Sequence, residues 1–500
     1  MLSLIKSVLV LTVALSVCAD FWTDRDKFIK DEESQMLGSS INLTDKEKKV
    51  NQILMKFKYN EFDDGFLNPG SFAPSQHFFQ ARPLIQKSDV YKLLQKIPKG
   101  AALHGHDIAL VSSEYLYKQT YRNSLYACRI NGQLRMRFLQ SSQQDKQCNW
   151  TLLNVLRILD PSYDSYLRSQ INLYTENPKQ KYKNINDVWN AFQNIFFTIM
   201  GLVTYKPVFE DYFYQSLKEL YDDNVMYLEF RGTLPLLYDL NGTEYTPIQT
   251  VAVYKEVIEK FKTEYPRFKG ARFIYAPLKD DNNSTMYKYV EILKDLKVNF
   301  PDLLAGFDLV GQEDTRKPIN AYLDQIKQVS AMGIDFFFHA GETNWYDTSS
   351  DFNLVDAILL GTKRIGHAYA VTKHPLVVEI VKERQIAIEV CPISNQVLLL
   401  VSDMRNHPAA TLIANGFPIV ISYDDPTLWN GKALSYDFYM AFMGIAGKEA
   451  DLRLIKQLAL NSLLFSSLPA DQKQVLISDW ETDWTSFVDN VLATYANEIP

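Results

Sequence analysis

Two imidazoles one residue apart, in HGHD at 104 to 107, are the first feature of this chain with an evident chemical use. On an extended strand residues i and i+2 point the same way, so His104 and His106 can offer two nitrogens to one ion. Two packed histidines are an equally good reading of HxH taken alone. The pair gains weight because the chain has only seven histidines and a third, His339, closes the apolar run DFFFHA. Asp424, in SYDDP, can add an oxygen. Three imidazoles and a carboxylate suit a borderline divalent ion, zinc first in a hydrolytic setting, with a position left open for water. Such an ion lowers the pKa of its water from about 15.7 to about 7.

A water nucleophile needs a proton acceptor, and His367, at the end of RIGHA, can serve. Its ordinary alternative is a histidine satisfied by a backbone carbonyl. Glu342 follows His339 by three residues, and the small Ala340 and Gly341 between them let the chain turn back over a substrate. In a dry pocket that carboxyl would stay protonated and donate to a ring nitrogen. A surface carboxylate would leave the glycine turn unexplained. Asp424 and Asp425 cannot both face one ion, because successive side chains of an extended chain diverge. Pro426 biases Asp425 toward that extended form. Asp424 then binds metal while Asp425 accepts a hydrogen bond from the substrate, with a helix cap as the competing use of DDP.

These residues sit at the ends of short apolar runs, and the runs define the elements that must hold them. GAALH (100 to 104), VMYLEF (225 to 230), ARFIYA (271 to 276), LLAGFDLV (303 to 310), DFFFHA (335 to 340), KRIGHA (363 to 368), IAIEVC (386 to 391) and FPIVIS (417 to 422) are continuous rather than alternating. Helical segments such as YKEVIEKFKTEY separate them. Buried parallel strands read this way, and eight of them predict an α/β fold, a (β/α)8 barrel with its chemistry at the C-terminal strand ends. About 120 residues separate the first two runs, far more than one crossover needs. That excess predicts an inserted subdomain at about 110 to 182. Residues 20 to 95 predict a charged helical extension, with a cap at Thr44 or Asp45, that packs on the barrel or on a second chain.

Residues 1 to 19 combine Lys6, the apolar run Val8 to Val17, and small residues before a cleavage point, the pattern of a secretory signal peptide. The run is too short to span a bilayer. Removing this leader takes the net charge from −7 to −8, and no basic stripe points to nucleic acid. Without Cys18, three cysteines remain. In an oxidising compartment Cys128 and Cys148 would bridge, closing a loop worth roughly 3 kcal/mol. Cys391, in IAIEVC, reads as a small buried hydrophobe. Sequons at Asn42, Asn149, Asn241, Asn282 and Asn283 agree with secretion, the last two being too close for both to be used.

HGHD, MYLEFR, GFDLVGQE, HAGE, RIGHA, EVCPISN and SYDDP, in that order, resemble the adenosine deaminase family over about 100 to 430. The leader, the extension and the cysteine-containing insert make the chain similar to its secreted branch, the adenosine deaminase-related growth factors. The resemblance implies deamination of adenosine and 2′-deoxyadenosine, with zinc held by His104, His106, His339 and Asp424. It implies that Glu342 protonates purine N1, that His367 takes the proton of the attacking water, that Gly311 offers its amide to the purine and that Asp425 holds the N7 side. Asp107 and Trp189 would contact the ribose. Asp107 departs from the intracellular enzymes, whose ribose-binding acid falls where this chain has Ile108. Residues 20 to 95 are the candidate region for homodimer contacts. An alternative is a growth-factor-like ligand that uses the insert to bind a receptor or glycosaminoglycan. A different zinc deaminase architecture, built on HxE with PCxxC, is excluded because neither pattern occurs here.

Overall fold

A strand that is apolar on both faces needs cover on both, and all eight residues of Val225–Gly232 are buried. The computed structural model describes residues 20–142, 145–146, 148–279 and 282–498, so the leader over 1–19 lies outside the described residues. The barrel strands are β1 (Gly100–Ala102), β2 (Val225–Gly232), β3 (Gly270–Tyr275), β4 (Leu304–Phe307), β5 (His339–Ala340), β6 (Arg364–His367), β7 (Ala387–Val390) and β8 (Ile419–Ile421). They pair in parallel as two four-stranded sheets, β1 to β4 and β5 to β8. Single bridges, Phe307 to Phe336 and Gly105 to Asp424, join the sheets at both seams and close the barrel.

β5 is narrower than its sequence run. Phe336, Phe337 and Phe338 are buried, but of these only Phe336 makes a bridge, and the regular ladder is confined to His339–Ala340. That seam is where one sheet hands over to the other. The ladder resumes at the residues that carry chemistry.

The insert contains the helix Ser113–Gln119 and a three-stranded antiparallel sheet of Leu125–Ile130, Gln133–Phe138 and Thr151–Leu152. Cys128 and Cys148 are bonded, with their Cα atoms 6.2 Å apart. Leu139 and Trp150 pack beside them. The long helix Ile185–Val203 lies against the strand Gln133–Phe138, which aims its first turns at the barrel mouth.

The helix Asp45–Leu67 of the extension packs on this chain's own C-terminal helices. Thr44 caps Asp45–Leu67 with a capping box through Glu47. Glu47 then accepts hydrogen bonds from Lys456 Nζ and Trp484 Nε1 at 2.5 and 2.7 Å. Val50, Ile53 and Leu54 of that helix are fully buried. Residues 20–35 form a helix that stays exposed. Asn42, Asn149, Asn241 and Asn282 are also exposed, and the Asn283 side chain lies outside the described ones. Among the described residues no helix is long and apolar enough to cross a membrane.

Candidate active site

The strand ends open into one cavity of about 1050 Å³, mouth included. Its wall holds His106, Asp107, Trp189, Gly311, His339, Glu342, His367, Asp424 and Asp425. His104 lies beneath, fully buried. Every residue expected at the site is therefore in it or directly under it. One nitrogen each of His104, His106 and His339 and one oxygen of Asp424 lie within 4.8 Å of one another.

These four fit a divalent metal. His104 Nε2 and Asp424 Oδ1 are 3.3 Å apart, both buried, and neither has a hydrogen-bond partner. Leaving two such atoms empty in a dry site is costly, and a shared cation removes the cost. The far nitrogens are already committed: His104 Nδ1 to Glu389 Oε2 at 2.8 Å and His339 Nδ1 to Asp308 Oδ2 at 2.6 Å. A carboxylate behind a histidine fixes the ring and turns the other nitrogen toward the ion.

Both supporting carboxylates hang on Arg231, which reaches Asp308 at 2.8 Å and Glu389 at 2.7 Å. Arg364 pairs with Glu389 at 2.5 Å and Glu229 at 2.8 Å. Against the desolvation of full burial, Arg231, Arg364 and His104 keep Glu389 ionised. Against the same burial, His339 and Arg231 hold the Asp308 carboxyl below its ordinary range. None of these residues was assigned a role from sequence. Glu229 and Arg231 in MYLEFR, two apart within an apolar strand, were the available signal, since strand neighbours i and i+2 share a face.

Backbone geometry presents the reactive groups. Gly341 has φ +73°, and a Cβ there would meet Leu354 at 2.8 Å. The turn that lifts Glu342 thus depends on glycine for its dihedral and for its space. Gly366 lets β6 approach His104 closely, a Cβ there coming within 3.1 Å of the ring. His367 and Asp424 both adopt left-handed backbone, φ 61° and 57°. Each such residue costs about 1–3 kcal/mol, a strain that concentrates at working sites.

Burial, then the charges of Asp424 and Glu313, push the Glu342 carboxyl well above its ordinary value. The shift favours the protonated form. Burial and then Asp424 do the same to Asp425, whose Oδ1 is buried without a partner. The sequence reading made Asp425 an acceptor; in a protonated form it can donate as well. Asp107 is pushed up to about 6 by burial. It accepts from Tyr254 Oη at 2.6 Å and from the Ile108 amide at 2.9 Å. Trp189 reaches the cavity from the helix Ile185–Val203. His367 Nε2 lies 3.7 Å from Glu342 Oε1 and 3.8 Å from Asp424 Oδ2. Cys391 is buried and its sulfur lies within 4.8 Å of donor atoms of His104, His367 and Asp424. The sequence reading of a small buried residue describes its burial but misses this position.

Comparison with known proteins points to one family. The family model described as adenosine deaminase matches residues 168–482, and the adenosine/AMP deaminase N-terminal model matches residues 3–94. A Phlebotomus duboscqi protein named adenosine deaminase is 47% identical over 468 residues, covering 92% of this chain and 90% of that one. The Homo sapiens protein named adenosine deaminase 2 is 42% identical over 469 residues, 92% of each chain. Among solved structures, an adenine deaminase from Arthrobacter aurescens superimposes with a TM-score of 0.55 at 18% identity, covering 78% of this chain and 99% of that one. That last likeness concerns the fold alone.

Proposed function

This chain belongs to the adenosine deaminase family, in its adenosine deaminase 2 branch, and from that footing we propose that it hydrolyses adenosine and 2′-deoxyadenosine to inosine and 2′-deoxyinosine with release of ammonia. It is on this reading a secreted hydrolase of a cyclic amidine C–N bond, using one Zn2+ per chain. The observation that carries the reading is the convergence of three imidazoles and a carboxylate beneath a cavity whose wall holds the buried carboxyl of Glu342.

His104, His106, His339 and Asp424 would hold the metal, which when bound supplies Lewis acidity to a water molecule near neutral pH. Glu342 gives its proton to purine N1, draining electron density from C6 and opening that carbon to attack. Protonated Asp425 donates to N7, and the Gly311 amide binds the purine. His367, facing Glu342 and Asp424, engages the attacking water. Asp107 and Trp189 hold the ribose. The aromatic wall from Ile185–Val203 excludes water and strengthens each of these electrostatic contacts.

Secretion is supported by the leader pattern, the exposed sequons at Asn42, Asn149, Asn241 and Asn282, and the Cys128–Cys148 bond, which suits oxidising compartments. Dimerisation through the extension is supported by Phe21, Trp22 and Phe28, which are 57, 58 and 68% exposed on the helix over 20–35. Removing residues 20–35 should shift the species seen by light scattering from dimer to monomer. Among the described residues no feature favours a receptor or glycosaminoglycan ligand without catalysis, since every expected catalytic group faces the cavity. The test is the ultraviolet change that accompanies loss of the 6-amino group, with adenosine, 2′-deoxyadenosine and AMP offered separately. Folded, zinc-loaded protein that leaves both nucleosides unchanged would rule the proposal out.

A further inference from the structure

The second nitrogen of His367 decides what Nε2 can do. His367 Nδ1 lies 3.1 Å from Asn395 Nδ2, and Asn395 Oδ1 lies 2.9 Å from His407 Nε2. The far end of this row is anchored, because His407 Nδ1 accepts the backbone N–H of Ala409 at 3.0 Å. A backbone N–H only donates, so every bond along the row inherits its direction. His407 Nδ1 is the bare nitrogen, and Nε2 therefore carries the proton and donates to Asn395 Oδ1. The amide must then turn its NH2 group to His367 Nδ1, which accepts. Flipping Asn395 would set two donors against each other at His407.

We infer that His407 and Asn395 fix neutral His367 in the tautomer protonated at Nε2, so that it meets the reacting water as a hydrogen-bond donor and not as the proton acceptor its motif suggests, the proton that the water gives up passing instead to Asp424 Oδ2 on the same side of the cavity. Three features agree with this assignment. Nε2 faces Asp424 Oδ2 at 3.8 Å, an oxygen that can accept from it through one water. Burial pushes His407 down to about 3, so it stays the neutral anchor the row requires. Asn395 is held in place by its own backbone: its N–H donates to Cys391, and its carbonyl accepts from Leu400 and Val401. Asn395 and His407 are positioning residues that act through His367. The inference relies on the deaminase reading only for the identity of the water; the tautomer itself does not depend on it.

The experiment is nitrogen-15 NMR of the zinc-loaded full-length protein with labelled histidine, the His367 signals being assigned by their loss in His367→Gln. The expected result is a protonated Nε2 and a bare Nδ1 at His367. Asn395→Asp replaces the NH2 with an oxygen that only accepts, which demands a proton on His367 Nδ1 and bares Nε2. Losing a donor aimed at developing charge should lower kcat on the order of 100-fold, with KM held within about twofold. Should the buried carboxylate prevent folding, His407→Leu removes the donor that orients the amide; both His367 tautomers should then appear, with a lower kcat. A wild-type His367 protonated at Nδ1 overturns the inference. So does Asn395→Asp that switches the tautomer at unchanged kcat, or His407→Leu that changes neither. Wild type that is inert toward adenosine yet keeps Nε2 protonated would defeat the deaminase reading alone.

Discussion

Glu342 is useful because its surroundings keep it from ionising. Burial, Asp424 and Glu313 all raise its pKa, so the protonated acid is favoured and is lost as pH rises through that raised value. Activity should therefore fall on the alkaline side, and Glu342→Gln, which cannot give up a proton, should lose about 10²–10⁴ in kcat while its zinc content stays at the wild-type level. A Glu342→Gln variant with near wild-type kcat would remove it from the acid role. The residues that touch the chemistry were legible because histidines are scarce here and fall at strand ends. Their supports were not. Asp308, just past β4, and Glu389 of β7 reach His339 and His104 from 31 and 285 residues away in sequence, a pairing that only the closed barrel creates. Asp308→Asn should weaken zinc binding about 10–100-fold by loosening the His339 ring, read as competition against a chelator of known affinity.

Among the elements, β5 and its following turn carry the sharpest demand. Sequence predicted a six-residue strand ending at the site, and the structure keeps the burial but limits regular pairing to His339–Ala340. Periodicity records which residues are buried, not where one sheet passes to the next. Gly341 was legible as a turn, and the reason is now geometric: φ +73° and a Leu354 side chain 2.8 Å from where a Cβ would stand. Gly341→Ala should destabilise the fold by about 1–3 kcal/mol and displace Glu342, lowering kcat more than it raises KM. Denaturant midpoints and steady-state kinetics on one preparation would check both parts. The insert was visible only as excess length and two cysteines. What it does for the site, bracing Ile185–Val203 so that Trp189 lines the cavity, depends on contacts between segments far apart in sequence.

At the scale of the molecule, the extension joins the helices Leu452–Leu464 and Ala470–Thr494 through Glu47, Lys456 and Trp484, contacts that a sequence naming only the barrel or a second chain as its partner could not specify. Stability should also respond to acid. Burial pushes His77 down to about 4 and His407 to about 3, from an ordinary 6.5. Each accepts a backbone N–H at Nδ1, from Phe79 and Ala409. Between these values and 6.5 the unfolded chain binds protons that the folded chain refuses, so stability is lost as pH falls below about 6.5. The thermal midpoint should be lower at pH 5 than at pH 7; an unchanged midpoint would show that these histidines are not neutral anchors. The central claim, that four side chains hold one catalytic zinc, is tested most directly by returning zinc to metal-depleted protein while following adenosine conversion. The account predicts no activity at the start, a linear rise that ends at one equivalent per chain, and no recovery in His339→Ala. Full activity in the metal-free protein, or a His339→Ala variant restored by one equivalent, would contradict it.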